Sequence, residues 1–284
     1  MIDLYLYNNG GLADLMLSRL LYRKILERGD VSLQIGLCAQ DQELFQDLET
    51  LGVQLHLSPY PRLDQGASID LAYLCPRDAL PLSVNLADYE DTHAFQFEFQ
   101  LEVFRRRMEE NNLPLEIPFD ENKIPLLDFG AVVPSQRLKE LCASGEPGVY
   151  LELRRSRDWR CRFYFDLERL AQIFPEIHFY CTQAPRLHFE NLIDVSDLGP
   201  LQLSKLSDRC DLLLGRTFDP FVLSMTEANR FKPKALCGYD ARSIPRFYEY
   251  PGNPCEFLGN MDELVDFLQS AFPVFSEGSE LNSR

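Results

Sequence analysis

The sequence contains no Cys-x-x-Cys pair, no cluster of histidines and no apolar run of membrane-spanning length. Its eight cysteines (Cys38, Cys75, Cys142, Cys161, Cys181, Cys210, Cys237, Cys255) are scattered, and the four histidines stand apart from them. Zinc and iron–sulfur centres are therefore not expected, and no metal ligand is assigned. Gly-x-Ser-x-Gly, His-Glu-x-x-His and Gly-x-x-x-x-Gly-Lys-Ser/Thr are also absent, which argues against a serine hydrolase, a zinc protease and a P-loop nucleotidase. Basic charge is scarce: 28 Lys and Arg face 44 Asp and Glu, for a net charge of −16. A duplex-binding protein needs a concentrated basic surface, so nucleic acid is not an expected partner. The start, MIDLYLYNNGG, has no basic lead and no long apolar segment, so neither a signal peptide nor an integral membrane segment is expected. The simplest compartment is a reducing cytosol, with thiols free and mostly buried.

What remains is a chain of 284 residues, 45% hydrophobic and 12% aromatic, enough for one large or two ordinary domains with a sizeable core. Residues 2–7 (IDLYLY) predict a strand, broken by NNGG; LADLMLSRLLYRKILERG then repeats apolar residues at helical spacing. VSLQIGLC predicts a second strand, 41–51 a helix and VQLHL a third strand. This β-α-β-α-β order points to a doubly wound parallel sheet. IDLAYLC (69–75) and PLSVNL (81–86) are further strand candidates, 95–112 a helix, and 113–135 a proline-rich loop. Alternation restarts after CASGEPG (142–148): strands at 148–153, 177–181, 211–215 and 234–240, helices at 166–174, 201–210, from about 221, and 261–272. The expected organisation is α/β, with Rossmann-like domains over 1–145 and 146–284 and a binding cleft between them.

Three constellations could carry chemistry. The turn after the first strand holds Gly10, Gly11 and Asp14. Glycines let backbone approach a ligand, the helix start favours anions, and Asp14 is placed to act as a general base or only to complement the helix dipole. The second is LELRRSRDWRCR, with Arg154, Arg155, Arg157, Arg160 and Arg162 directly after a predicted strand. Guanidinium groups there would bind phosphate oxygens, or else form a solvated basic loop. The third is DLLLGRTFDPFVLSMTEA, an apolar strand, a loop carrying Asp219, and a helix carrying Glu227. Two such carboxylates would accept hydrogen bonds from sugar or ribose hydroxyls, with Thr217 and Ser224 adding hydroxyl contacts; the alternative is a helix cap and a solvated glutamate.

Taken together, these motifs resemble glycosyltransferases of the B-type fold, two Rossmann-like halves with the donor held mainly by the second. DPFVLSMTEA is similar to the EPFGLxxLEA stretch of retaining sugar-nucleotide transferases, with Asp219 at the first Glu, Glu227 at the second, and Val222 replacing the Gly. GLADLMLSRLLYRKI is similar to the GLGDxLLxxPxLRxL start of the heptosyltransferase family, with Asp14 at its Asp and Ala13 at its second Gly. The C-terminal Asp-Thr-Gly-x-x-His of that family is not reproduced, and Ser224 stands where the His would fall.

The resemblance implies transfer of a sugar from a nucleotide-sugar donor to a hydroxyl of a glycan, lipid or protein acceptor. It implies Asp14 as the base, Arg154, Arg155 and Arg157 on phosphate, Glu227 on ribose and Asp219 on the sugar, with no metal and no cofactor besides the donor. A sugar-nucleotide epimerase and a non-catalytic, partner-binding scaffold remain the alternatives on the same fold.

Overall fold

The computed structural model describes residues 2–63, 66–85, 96–113, 117, 126–143, 145–154, 163–216, 218–238 and 255–273, with the side chains of 96–99, 218 and 219 outside that description. The chain divides into two compact units, Met1–Ala131 and Val132–Arg284.

In the first unit β1 (Ile2–Tyr7), α1 (Leu12–Leu26), β2 (Val31–Cys38), α2 (Gln46–Glu49), β3 (Gln54–Ser58), β6 (Leu80–Ser83) and α3 (Gln96–Glu110) follow one another, with a two-strand hairpin, β4 (Arg62–Leu63) and β5 (Gly66–Ala67), before β6. The four long strands form a parallel sheet in the order β3-β2-β1-β6. Leu4, Tyr5 and Leu6 are all fully buried, as expected for a central parallel strand covered on both faces. A side chain at Gly36 on β2 would overlap the Tyr5 ring, whose hydroxyl donates to the Leu71 carbonyl at 2.7 Å. Helix α1 carries Asp14 in its first turn and Arg23 and Lys24 in its last, matching the helix dipole. The buried Arg19 guanidinium ties α1 to Asp47 at 2.6 Å and to the Leu44 and Asp128 carbonyls, between the rings of Phe45 and Phe129.

In the second unit α4 (Gln136–Leu141) leads into β7 (Gly148–Glu152), α5 (Leu167–Ile173), β8 (His178–Cys181), β9 (Leu192–Asp194), α6 (Pro200–Ser207), β10 (Leu212–Gly215), α7 (Phe218–Phe221), β11 (Lys234–Cys237), β12 (Glu256–Leu258) and α8 (Met261–Ala271). Six parallel strands run in the order β12-β11-β10-β7-β8-β9. Val149, Leu151, Phe179, Leu212, Leu214 and Ala235 meet Leu170, Leu264 and Leu268 in one apolar core. Each sheet thus starts on a central strand, builds outward on one side, then crosses to the other. The strand order reverses between β1 and β6, and again between β7 and β10. The carboxyl ends of those pairs are where open α/β sheets place ligands.

Three expectations about local structure change. Residues 69–75 contain a 3-10 turn, Leu71–Leu74, capped by Asp70 accepting from the Ala72 N–H, instead of a strand. The helix expected over 41–51 opens as a 3-10 turn, Ala39–Phe45, with Asp41 drawn inward to Arg62. The helix expected from 221 is three short pieces: α7, then 3-10 turns Val222–Ser224 and Glu227–Asn229. The Ser224 hydroxyl donates to the Phe221 carbonyl, and Thr226 donates to Asp208, which interrupts the helical ladder. Helix α4 lies with the second unit: Tyr180 donates to the Leu141 carbonyl at 3.2 Å, and the Ser135 N–H donates to Gln202 at 2.8 Å. Strands β9 and β12, each three residues long, are too short to show a period in the sequence.

Candidate functional site

The carboxyl end of β1 in the first unit opens into Asn8-Asn9-Gly10-Gly11. The Asn8 side chain is fully buried. Its carbonyl oxygen accepts from the Gly10 N–H at 2.7 Å. Its amide donates to the Asp14 carboxylate at 3.0 Å, the Asp14 carbonyl at 3.2 Å and Ser18 at 2.6 Å. Gly10 needs no left-handed backbone; a side chain there would overlap the Asp14 carboxylate. Its absence of a Cβ therefore makes room for Asp14, which is half-buried, and the Gly10 N–H is already occupied. Gly11 is the N-cap residue of α1.

Beneath this loop lies a buried ion pair that the sequence reading missed. Arg62 donates to Asp41 at 2.7 Å, to the Asn8 carbonyl at 3.2 Å and to the Gly10 carbonyl. The pair's side chains are 3% and 7% exposed. Burial pushes the Asp41 carboxyl upward and the Arg62 charge opposes that. Asn9 is fixed as well, accepting from the Leu71 N–H at 3.0 Å and donating to Asp70 at 2.9 Å.

The carboxyl end of β7 in the second unit carries the opposite charge arrangement. Glu152, the last residue of the strand, is fully buried. One of its oxygens accepts from Arg154 Nε at 2.8 Å, the Arg154 N–H at 3.1 Å and Thr182 at 2.7 Å. The other accepts from Arg154 Nη2 at 2.6 Å and the Tyr150 hydroxyl at 3.0 Å. Burial works against the Arg154 charge, but the hydrogen bonds and charge of Glu152 outweigh it and hold Arg154 above the ordinary guanidinium value. Both bonds use the Nε–Nη2 side of the guanidinium. Among the described residues no acceptor engages Nη1, and the side chain is one-third exposed.

Arg216 follows β10 directly. Its N–H donates to the Glu152 carbonyl and its Nη1 to the Leu153 carbonyl, both at 3.2 Å, with the guanidinium over the Phe165 ring. Arg154 and Arg216 thus share the reversal point between β7 and β10.

Of the residues singled out in the sequence, Arg155, Arg157 and Thr217 lie outside the described residues, as does the side chain of Asp219. Ser224 is buried, with its hydroxyl on a carbonyl of its own turn. Glu227 is exposed and pairs with Arg230 at 3.2 Å. Its turn is tied back through Thr226 to Asp208 and through Asn229 to Ser207, residues that lead into the amino end of β10. The structure therefore brings Arg154 together with Arg216 and puts Glu227 at the other end of that strand. Among the described residues no group of three or more His, Cys, Asp or Glu side chains is spaced to hold a metal ion, and no helix is long and apolar enough to cross a membrane.

A signal for Glu152 was present: it is the one acidic letter in the apolar run GVYLEL. Arg216, next after LLLG, was equally visible. Arg62 was not, because nothing near it in the sequence points to a loop fifty residues earlier.

No protein-family model matches the chain, and no curated protein matches its sequence. Among solved structures, E. coli ADP-heptose LPS heptosyltransferase II matches 99% of this chain and 100% of that one with a TM-score of 0.57 at 12% identity. E. coli heptosyltransferase WaaC with ADP matches 97% of this chain and 100% of that one with a TM-score of 0.57 at 8% identity. The likeness, with the two strand orders above, defines the fold as that of the B-type glycosyltransferases, α/β with two Rossmann-like units.

Proposed function

We propose that this chain is a glycosyltransferase that moves a sugar from a nucleotide-sugar donor to a hydroxyl acceptor. The observation that carries the reading is Arg154, locked by buried Glu152 at a strand-order reversal with its Nη1 side engaged by no acceptor among the described residues. A nucleoside diphosphate leaving group develops negative charge as its bond to the anomeric carbon breaks, and a preorganised guanidinium stabilises that charge without reorganising. Arg216 borders the same position, and Arg155, Arg157 and Thr217 adjoin it in sequence. The reading draws its countercharge from arginine and requires no metal ion.

Asp14, in the first unit, is assigned as general base. It takes the proton of the acceptor hydroxyl while that oxygen attacks the anomeric carbon. The bond to the diphosphate breaks with its electron pair leaving on phosphate oxygen, which inverts the centre. Glycan, lipid and protein acceptors all offer such a hydroxyl. Free thiols among the described cysteines suit a reducing compartment.

Both structural neighbours are described with adenine nucleotides, one by an ADP-sugar and one by ADP, so ADP is the first probe. Calorimetric titration with ADP, UDP, GDP and CDP should find one that binds the wild-type protein. Arg154→Ala should weaken that binding by about 1.5–3 kcal/mol, the worth of a hydrogen bond to a charged group. A wild-type protein that binds none of them, or an Arg154→Ala variant that binds as wild type, overturns the assignment.

A further inference from the structure

We infer that Asn8 is the positioning residue of Asp14: its buried amide holds the carboxylate in one orientation against the bare α-carbon of Gly10. The inference rests on the reading of Asp14 as base and names the group through which this chain sets that base.

Four observations converge on it. Asn8 reaches both the side-chain and the main-chain oxygen of Asp14, at 3.0 and 3.2 Å, and so fixes the carboxylate relative to the start of α1. The same amide is itself fixed, by Ser18 at 2.6 Å and by the Val84 carbonyl at 3.3 Å. Gln100 on α3 closes the ring, donating to Ser18 at 3.1 Å and to the Val84 carbonyl. The side-chain oxygen of Asn8 takes the Gly10 N–H, which holds Gly10 where its α-carbon borders the carboxylate. An amide with both ends committed cannot rotate without losing several hydrogen bonds, most of them buried.

Other groups near this loop bear on the Asp14 charge. Arg62 lies under the loop on the Asn8 and Gly10 carbonyls, paired with Asp41. Asp70 bonds Asn9. Tyr22, on α1, and Tyr5, on β1, are buried phenols whose burial raises them far above neutral pH, so both are uncharged. Among the described residues, Val84 after β6, Gln100 on α3 and Ser18 on α1 are uncharged members of this network. Among these, Asn8 is the donor seated on the carboxylate itself. A donor to the charged form favours the carboxylate over the acid, which keeps a base ready to accept a proton at neutral pH.

The test is an NMR titration of the full chain, with Asp14 assigned by its loss in Asp14→Asn. In the wild type the Asn8 side-chain amide signals should shift with the same midpoint as the Asp14 carboxyl, and that shift should vanish in Asp14→Asn. Asn8→Asp keeps the shape but replaces the donor with a like charge. It should raise the Asp14 midpoint by on the order of one pH unit or more, and carry the acidic limb of the transfer rate with it. Asn8 amide signals that stay still while Asp14 titrates overturn the inference, and this readout needs no variant at Asn8 to fold. A folded Asn8→Asp protein with an unmoved Asp14 midpoint overturns it too. An intact Asn8–Asp14 titration beside full transfer by Asp14→Asn instead removes the base reading, and with it the catalytic meaning of the grip.

Discussion

At the end of its first strand, each unit of this protein carries a charged side chain on a loop or strand end that a buried group of opposite sign supports, and the signs are reversed. In Met1–Ala131 the presented group is the Asp14 carboxylate, and the buried support is Arg62, on the loop carbonyls with Asp41 beside it. In Val132–Arg284 the presented group is the Arg154 guanidinium, and the buried support is the Glu152 carboxylate. The supports also work differently. Arg62 touches the backbone of the loop at the Asn8 and Gly10 carbonyls, and the Asn8 side chain in turn donates to Asp14. Glu152 grips Arg154 directly, side chain to side chain. A general base needs its carboxylate held by neutral donors, since a direct ion pair would lower its proton affinity too far. A phosphate-binding guanidinium tolerates a direct carboxylate partner because it stays charged in any case.

The largest effect that can break this comparison lies in the supports. Arg62→Ala leaves a buried carboxylate and two loop carbonyls without their cation, which should cost about 3–5 kcal/mol. Glu152→Gln should cost less, about 1–3 kcal/mol, because Arg154 is one-third exposed and can turn toward water. Urea unfolding, with amide exchange at Leu4 and Leu151 reporting the two units separately, measures both. Equal losses would mean that the two supports are not different in kind.

The functional contrast comes next. Asp14→Asn should lower transfer by about 10²–10⁴-fold while leaving nucleotide affinity intact. Arg154→Ala should show its first effect in nucleotide affinity. Rate measurements at saturating donor, set beside calorimetry, give the crossed pattern. Two variants that lose affinity and rate in the same proportion would remove the division of labour between the units.

The smallest expected effect concerns a buried lysine. Lys234, at the amino end of β11, is 3% exposed, and burial lowers its pKa from 10.5 to about 8. Its Nζ donates to the Arg230 carbonyl at 2.9 Å. Folded protein then binds fewer protons here than unfolded chain between those two values. The penalty is full below pH 8, shrinks as pH rises, and is gone above 10.5. Lys234→Met should therefore stabilise the protein near pH 7 by about 1–3 kcal/mol, an advantage that narrows between pH 8 and 10.5. Thermal unfolding across that range checks it; a constant difference would mean that Lys234 stays charged when folded.

Much of the architecture was legible in the sequence because period and punctuation are local. IDLYLY before NNGG, VSLQIGLC, GVYLEL and DLLLG each show an apolar run ending at a turn, and all four are strands of the parallel sheets. Asp14 in the first turn of α1 and Arg154 just past β7 were placed by the same local logic. The stretch 221–229 misled because its letters favour helix, whereas Thr226 bonds Asp208 outside it and the backbone forms short separate turns. Glu227, eight residues past Asp219, had the spacing of a ligand contact, yet its turn is held at the other end of the strand.

The sequence alone determined the class of fold, since a β/α period with glycine at the strand ends admits few arrangements. It also determined which charged residues stand at those ends. Tertiary structure decided which of them are held and by what. Arg62 reaches the Gly10 loop across fifty-two residues, Thr182 reaches Glu152 across thirty, and Gln100 reaches Ser18 across eighty-two. Such contacts follow from strand order and burial, where a polar group without a partner costs too much to keep. No local period encodes them.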